Sequence, residues 1–106
     1  MPILWEPALR FSFKTRALEE LYRSERGARR YPEAVVDAFF EVMAVIAAAR
    51  DERDLRNLAS LHYEKLRGQR SHQHSLRLHG GFRLIVERQK DEQGRWLLII
   101  DIEDYH

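Results

Sequence analysis

The sequence predicts an α+β fold, with N-terminal helices packed on one face of a small, mainly antiparallel twisted sheet. Three observations carry this reading. Apolar residues recur at helical spacing through the first part of the chain. From Glu64 onward the period changes to two. Two turn signals, Gly80-Gly81 and Asp91-Glu92-Gln93-Gly94, then divide the remainder into hairpin-sized segments. Helices followed by a meander imply a layer of helices on a sheet.

Each element follows from local chemistry. Pro2 and Pro7 make the first residues irregular or extended. Arg10-Phe11-Ser12-Phe13-Lys14 reads as a short first strand. A helix follows, with Thr15 as N-cap and Leu18, Leu21 and Tyr22 at helical spacing; Gly27 is expected to end it. Pro32 and Glu33 suit the first turn of a second helix, where the N–H is unneeded and the dipole favours a carboxylate. Val35, Ala38, Phe39, Val42, Met43 and Ile46 form its apolar stripe, and Ala47-Ala48-Ala49 keep helix propensity high to its end. Val36 and Phe40 lie off that stripe, which leads us to expect a partner over part of the second face. A shorter helix is expected near Glu52 to Leu61, with Leu55, Leu58 and Ala59 inward.

The strands sort by parity. Leu76, Leu78, Phe82, Leu84, Val86, Trp96, Leu98, Ile100 and Ile102 are assigned to the helix side. Arg77, Arg83, Asp101, Glu103 and Tyr105 then share the opposite face, basic and acidic groups side by side. Asp104 and His106 have inward parity, but alternation need not continue past the strand's end.

Composition narrows the function classes. The chain has 106 residues, 44% hydrophobic and 33% charged, which suits one globular domain over 1–106 with a heavily charged surface. The net charge of +1 does not advertise nucleic-acid binding. Its distribution does: from Lys65 to Arg88 there are six Lys or Arg and one acid, Glu87. With no cysteine, disulfides, thiolate zinc sites and cysteine nucleophiles are excluded. The absence of a spanning apolar run or a signal-peptide pattern leads to an expected cytoplasmic location with no membrane partner.

The chemistry-bearing residues gather at the end of the last strand. Asp104-Tyr105-His106 places a carboxylate, a phenol and an imidazole after an apolar run. Leu66-Arg67-Gly68-Gln69-Arg70, Ser75-Leu76-Arg77-Leu78, Phe82-Arg83-Leu84 and Glu103-Asp104-Tyr105-His106, in that order, resemble the HigB-like branch of the RelE/ParE toxin superfamily. Ser12-Phe13-Lys14 and Leu55-Arg56-Asn57-Leu58 before Leu61-His62 add to the resemblance. It covers about 12–106 and leaves 1–11 as a variable N-terminal extension.

The resemblance implies a RelE-like fold and a toxin of a type II toxin–antitoxin system. Its expected activity is ribosome-dependent endoribonuclease cleavage of messenger RNA, inhibiting translation and arresting growth. The implied partners are a cognate antitoxin of helix-turn-helix, DNA-binding type, the ribosome and its message. Family roles map onto Arg67, Arg83, Asp104, Tyr105 and His106, with Lys65, Arg70 and Arg77 as further RNA phosphate-binding residues. The family often has lysine where Arg67 stands. Arginine holds a phosphate but stays protonated, so proton transfer would lean on His106 and Asp104.

Metal-independent cleavage needs a base for the 2′-hydroxyl, cations for the crowded phosphate, and an acid for the leaving 5′-oxygen. His106 titrates near neutrality and suits either proton role; Asp104 is compatible with orienting it or with acting as base. Tyr105 suits a phosphate hydrogen bond or stacking on a base. Arg83 and Arg67 suit the phosphorane, and 2′-hydroxyl attack would leave a 2′,3′-cyclic phosphate.

Blander readings stand beside these. The last three residues are compatible with a solvated strand end, Arg67 and Arg70 with loop charges, and Arg83 with a salt bridge to Asp101 or Glu103. His72 and His74 sit two apart, but no metal motif surrounds them, so neither a metal nor a cofactor is expected. Two other functions fit the fold: a gyrase-poisoning toxin without nuclease chemistry, and a non-catalytic module retained for antitoxin binding.

Overall fold

The computed structural model describes residues 8–105; residues 1–7 and His106 lie outside the described residues. In chain order the elements are β1 (Arg10–Phe13), α1 (Arg16–Ser24), α2 (Glu33–Ala48), α3 (Glu52–Arg56), β2 (Glu64–Lys65), β3 (Gln73–Arg77), β4 (Phe82–Asp91) and β5 (Gly94–Asp104). Short 3-10 turns occupy Ala28–Arg30, Ala59–Leu61 and Gly68–Arg70. The five strands form one sheet in the order β1-β5-β4-β3-β2. β1 runs parallel to β5 and the other pairs are antiparallel, so the expected α+β architecture is present.

Thr15 caps α1 as its chemistry requires, its Oγ1 accepting from the Leu18 N–H at 3.2 Å. The helix does not run to Gly27. Glu25 adopts the left-handed conformation (φ 60°) and donates to the Leu21 carbonyl, closing the helix two residues early. Gly27 instead uses its own positive φ of 84° to open the first 3-10 turn. α2 begins after Pro32, whose carbonyl accepts from Val35 and Val36.

The core lies between the helices and the sheet. Phe39, Met43 and Ile46 of α2 and Leu55 of α3 are fully buried with Leu76, Leu84, Val86, Leu97 and Ile99. Val36 is buried too, and Phe40 packs within the chain against Phe39 and Tyr22, at ring separations of 5.3 and 6.4 Å. Tyr22 of α1 thus covers part of the off-stripe face of α2, where Phe40 stays half-buried. The expected third helix is shorter than its pattern: α3 stops at Arg56, and Leu58 and Ala59 are exposed.

The parity assignment is correct through β4 and wrong for half of β5. Ile85 pairs with Asp101 and Val86 with Ile99, so Ile100 is an extra residue in the ladder, a β-bulge. The bulge reverses the faces on its N-terminal side. Leu97 and Ile99 enter the core, while Trp96, Leu98 and Ile100 are only half-buried. Asp101, Glu103 and Ile102, beyond the bulge, keep their expected faces.

Candidate active site

The β3–β4 hairpin and the end of β5 place three charged side chains in one lateral row: Arg77 opposite Arg83, and Arg83 opposite Glu103. Like charges directly opposite each other on a sheet repel, so such a pair needs compensation. Arg83 obtains it by turning along the face. Its Nε donates to the Ser75 Oγ at 2.8 Å and its Nη2 to the His62 carbonyl at 2.7 Å. Its side-chain hydrogen bonds go to neither of the anticipated ion-pair partners, Asp101 or Glu103. Ser75 is 2% exposed, a fixed acceptor held on the diagonal of the hairpin. His62 takes a left-handed backbone (φ 46°), an uncommon conformation for a residue with a Cβ. That turn supplies the carbonyl that holds the guanidinium.

Arg70 is organised differently. Its Nη1 and Nη2 donate to the two Glu103 carboxylate oxygens at 2.9 and 2.7 Å, and its Nε donates to Gln73 Oε1 at 3.0 Å. The Glu103 carboxylate, the first cause, holds the guanidinium firmly charged. Arg70 follows β2 at one edge of the sheet and Glu103 belongs to β5, so the side chain spans β3 and β4. Ile85 lies on the same face, in the row Ser75–Ile85–Asp101. Ile85 is 0% exposed there, although that face is turned away from the helices.

The other anticipated residues separate into groups. Asp104 is exposed at the end of β5, paired in register with Phe82. Tyr105, 48% exposed, continues the ladder through its N–H to the Gly81 carbonyl at 2.9 Å. Arg67 and Arg77 are exposed, Arg67 leading into the 3-10 turn that carries Arg70. Lys65 does not join them: it pairs with His74, whose side chain faces the helices. His106 lies outside the described residues.

The site therefore brings together Arg83, Arg70, Glu103 and Tyr105, with Arg67, Arg77 and Asp104 around them. Sequence reasoning missed Ser75 and the His62 carbonyl as the groups that orient Arg83, and Glu103 as the anchor of Arg70. The Ser75 role was legible in principle, because the apolar alternation of the two strands leaves Ser75 and Arg83 on the same face, away from the helices. The His62 carbonyl leaves no signal in side-chain pattern. Chemically the arrangement offers a planar cation on a rigid sheet, a second cation tied by a carboxylate, an accessible phenol and an accessible carboxylate. Among the described residues no group of three or more His, Asp or Glu is placed to hold a metal ion.

The sequence matches, over residues 11–103, the family described as the RelE-like toxin of type II toxin–antitoxin system HigB. It is also similar to Toxin HigB-1 of Vibrio cholerae serotype O1, 31% identical over 75 residues that cover 71% of this chain and 79% of that protein. The family match stops just before Asp104.

Proposed function

This chain belongs to the HigB-like family of RelE-like toxins of type II toxin–antitoxin systems, and we propose that it is a ribosome-dependent, metal-independent messenger-RNA endoribonuclease. Family membership brings with it a cognate antitoxin; a helix-turn-helix, DNA-binding antitoxin and a cytoplasmic site of action belong to the proposal. No helix among the described residues is long and apolar enough to cross a membrane.

The observation that carries the reading is the mounting of Arg83. Two fixed acceptors hold its guanidinium on a rigid strand, close in the fold to the chain segment bearing Asp104 and Tyr105. A guanidinium oriented in advance stabilises developing phosphate charge without reorganising during the reaction. In the proposed mechanism the 2′-oxygen attacks the adjacent phosphorus and the bond to the 5′-oxygen breaks. His106 and Asp104 handle the two protons, Arg83 and Arg67 bind the phosphorane oxygens, and Tyr105 contacts the phosphate or a base. Arg70 is tied to Glu103 and reaches the substrate less directly than the sequence suggested.

The test is cleavage of a message on programmed ribosomes by the purified chain, with the product ends analysed. A cut in the decoding site leaving a 2′,3′-cyclic phosphate and a 5′-hydroxyl is expected, unaffected by a chelator of divalent ions once the ribosomes are fixed in register. One observation favours a second reading: Arg83 and Arg70 both bond within the chain, as structural arginines do. A gyrase-directed or purely antitoxin-binding protein would leave the message intact under the same conditions.

A further inference from the structure

A second basic surface lies at the other end of the sheet and on its other face. The β3 pairing with β4 begins at Gln73 and Glu87, so the part of β4 and β5 from Arg88 to Arg95 projects past β3. In this projecting hairpin Arg88 and Lys90 share the parity of Val86, and Arg95 shares that of Leu97, which places them on the helix side. Lys65 and His74 approach from β2 and β3. Together they line an open hollow of about 320 Å³, completed by the polar side chains of Ser71, His72 and Gln89.

Four lining residues are cations and none is a carboxylate. Behind the hollow one buried carboxylate organises two of them: Glu52 Oε1 stands 3.0 Å from Arg88 Nε and 3.8 Å from Arg95 Nη1, while its Oε2 accepts from the Tyr63 hydroxyl at 2.9 Å. Lys65 and Lys90 are exposed at the rim. His74 is 5% exposed, stacks on Tyr63 at 4.8 Å, and leaves its buried Nδ1 without a hydrogen-bond partner.

The candidate active site contrasts with this. There the face carries carboxylates of its own: Arg70 is paired with Glu103, and Asp101 shares the face of Arg77 and Arg83. Binding to nucleic acid draws most of its strength from phosphates neutralised by cations. Arg83 and Lys90 lie on the same strand, seven residues apart, or about 23 Å at the usual rise, so one phosphate cannot serve both places.

We propose that the hollow formed by Lys65, Arg88, Lys90 and Arg95 grips the phosphate backbone of RNA, holding the substrate complex without reading its sequence while the opposite face cuts. The proposal rests on the endoribonuclease reading for its biological setting. Its chemistry rests on the hollow itself. Donors converge from three strands, which suits a tetrahedral phosphate with acceptors on every side better than a planar carboxylate of an acidic protein.

The experiment compares wild type, Lys90→Ala, Lys90→Ala/Arg95→Ala and the charge-keeping Lys90→Arg/Arg95→Lys. Each is titrated with a short RNA duplex across a potassium chloride series, then assayed for ribosome binding, message cleavage and antitoxin binding. The double alanine variant is expected to lose about tenfold in duplex affinity and to lower the log–log salt slope by about 1.8, as two lost phosphate contacts require. The charge-keeping pair should restore both. Message cleavage should show a raised KM with kcat preserved. The exposed single variant Lys90→Ala keeps the test valid if the double variant unfolds. Unchanged duplex affinity and slope in Lys90→Ala and the double variant would overturn the proposal. So would loss of antitoxin binding with RNA binding intact, which would assign the hollow to an acidic protein. Duplex binding that depends on these residues in a protein that cuts nothing on ribosomes would uphold the hollow and defeat the endoribonuclease reading instead.

Discussion

Arg70 grips Glu103 through two parallel hydrogen bonds, of 2.9 and 2.7 Å, and so ties the segment after β2 to β5 across the two strands between them. The pair is a strut laid over the sheet.

Glu103→Gln should therefore loosen the loop more than it harms the core. The pair is partly exposed, with side chains 42% and 27% accessible, so its contribution is held to about 1 kcal/mol. Urea unfolding should show that loss at low salt and a smaller one at high salt. Hydrogen exchange should speed up over Gly68–Arg70 first.

Arg83 should be the more sensitive of the two arginines in catalysis. Removing one preorganised donor to a developing charge costs about 10²–10³ in rate, and Arg83→Ala is expected in that range. Arg83→Lys should recover little, because a lysine cannot satisfy Ser75 and the His62 carbonyl with one rigid fork. Ser75→Ala should lower kcat by about tenfold with little change in melting temperature, separating positioning from folding.

The bulge at Ile100 gives a direct stability contrast. Leu97→Ala removes a side chain that is 1% exposed and should cost about 2–4 kcal/mol. Leu98→Ala, on the half-buried face, should cost under about 1.5 kcal/mol. Equal losses in chemical denaturation would contradict the observed register.

His74 should make stability fall in mild acid. Burial, the first cause, pushes its pKa below the ordinary 6.5, with the neighbouring Arg88, Arg56 and Lys65 charges acting the same way and Glu52 opposing. The unfolded chain then takes up a proton that the native state refuses. The stabilisation is complete above pH 6.5 and declines as pH drops through that value toward the lower native pKa. His74→Phe, which keeps a ring against Tyr63, should flatten the denaturation midpoint between neutral and mildly acidic pH. An unchanged pH profile in that variant would exclude His74 as the titrating group.

Much of the fold was legible because periodicity reports burial directly. The Thr15 cap, the α2 stripe and the alternation of β4 all express one face packed on the core. The misreadings share a physical cause, a single residue changing the count. Ile100 inserts into β5 and turns Trp96, Leu98 and itself outward, although every residue there is apolar and parity alone looks unbroken. Glu25 ends α1 where a glycine would be expected to do so. At the candidate site the cations were legible and their allegiances were not. Lys65 and Arg70 stand five positions apart, yet β2 sends one to the helix side and the following turn lays the other across the opposite face. A guanidinium held by a backbone carbonyl, as Arg83 is by His62, has no side-chain signature in any pattern.

The most direct measurement is the single-turnover rate of message cleavage on programmed ribosomes for wild type and Arg83→Ala, with ribosome binding measured in parallel. The expected result is a cut by the wild type in the decoding site and a fall of about 10²–10³ in the variant at undiminished ribosome binding. Equal rates for the two proteins would show that the held guanidinium is structural and contradict the central claim.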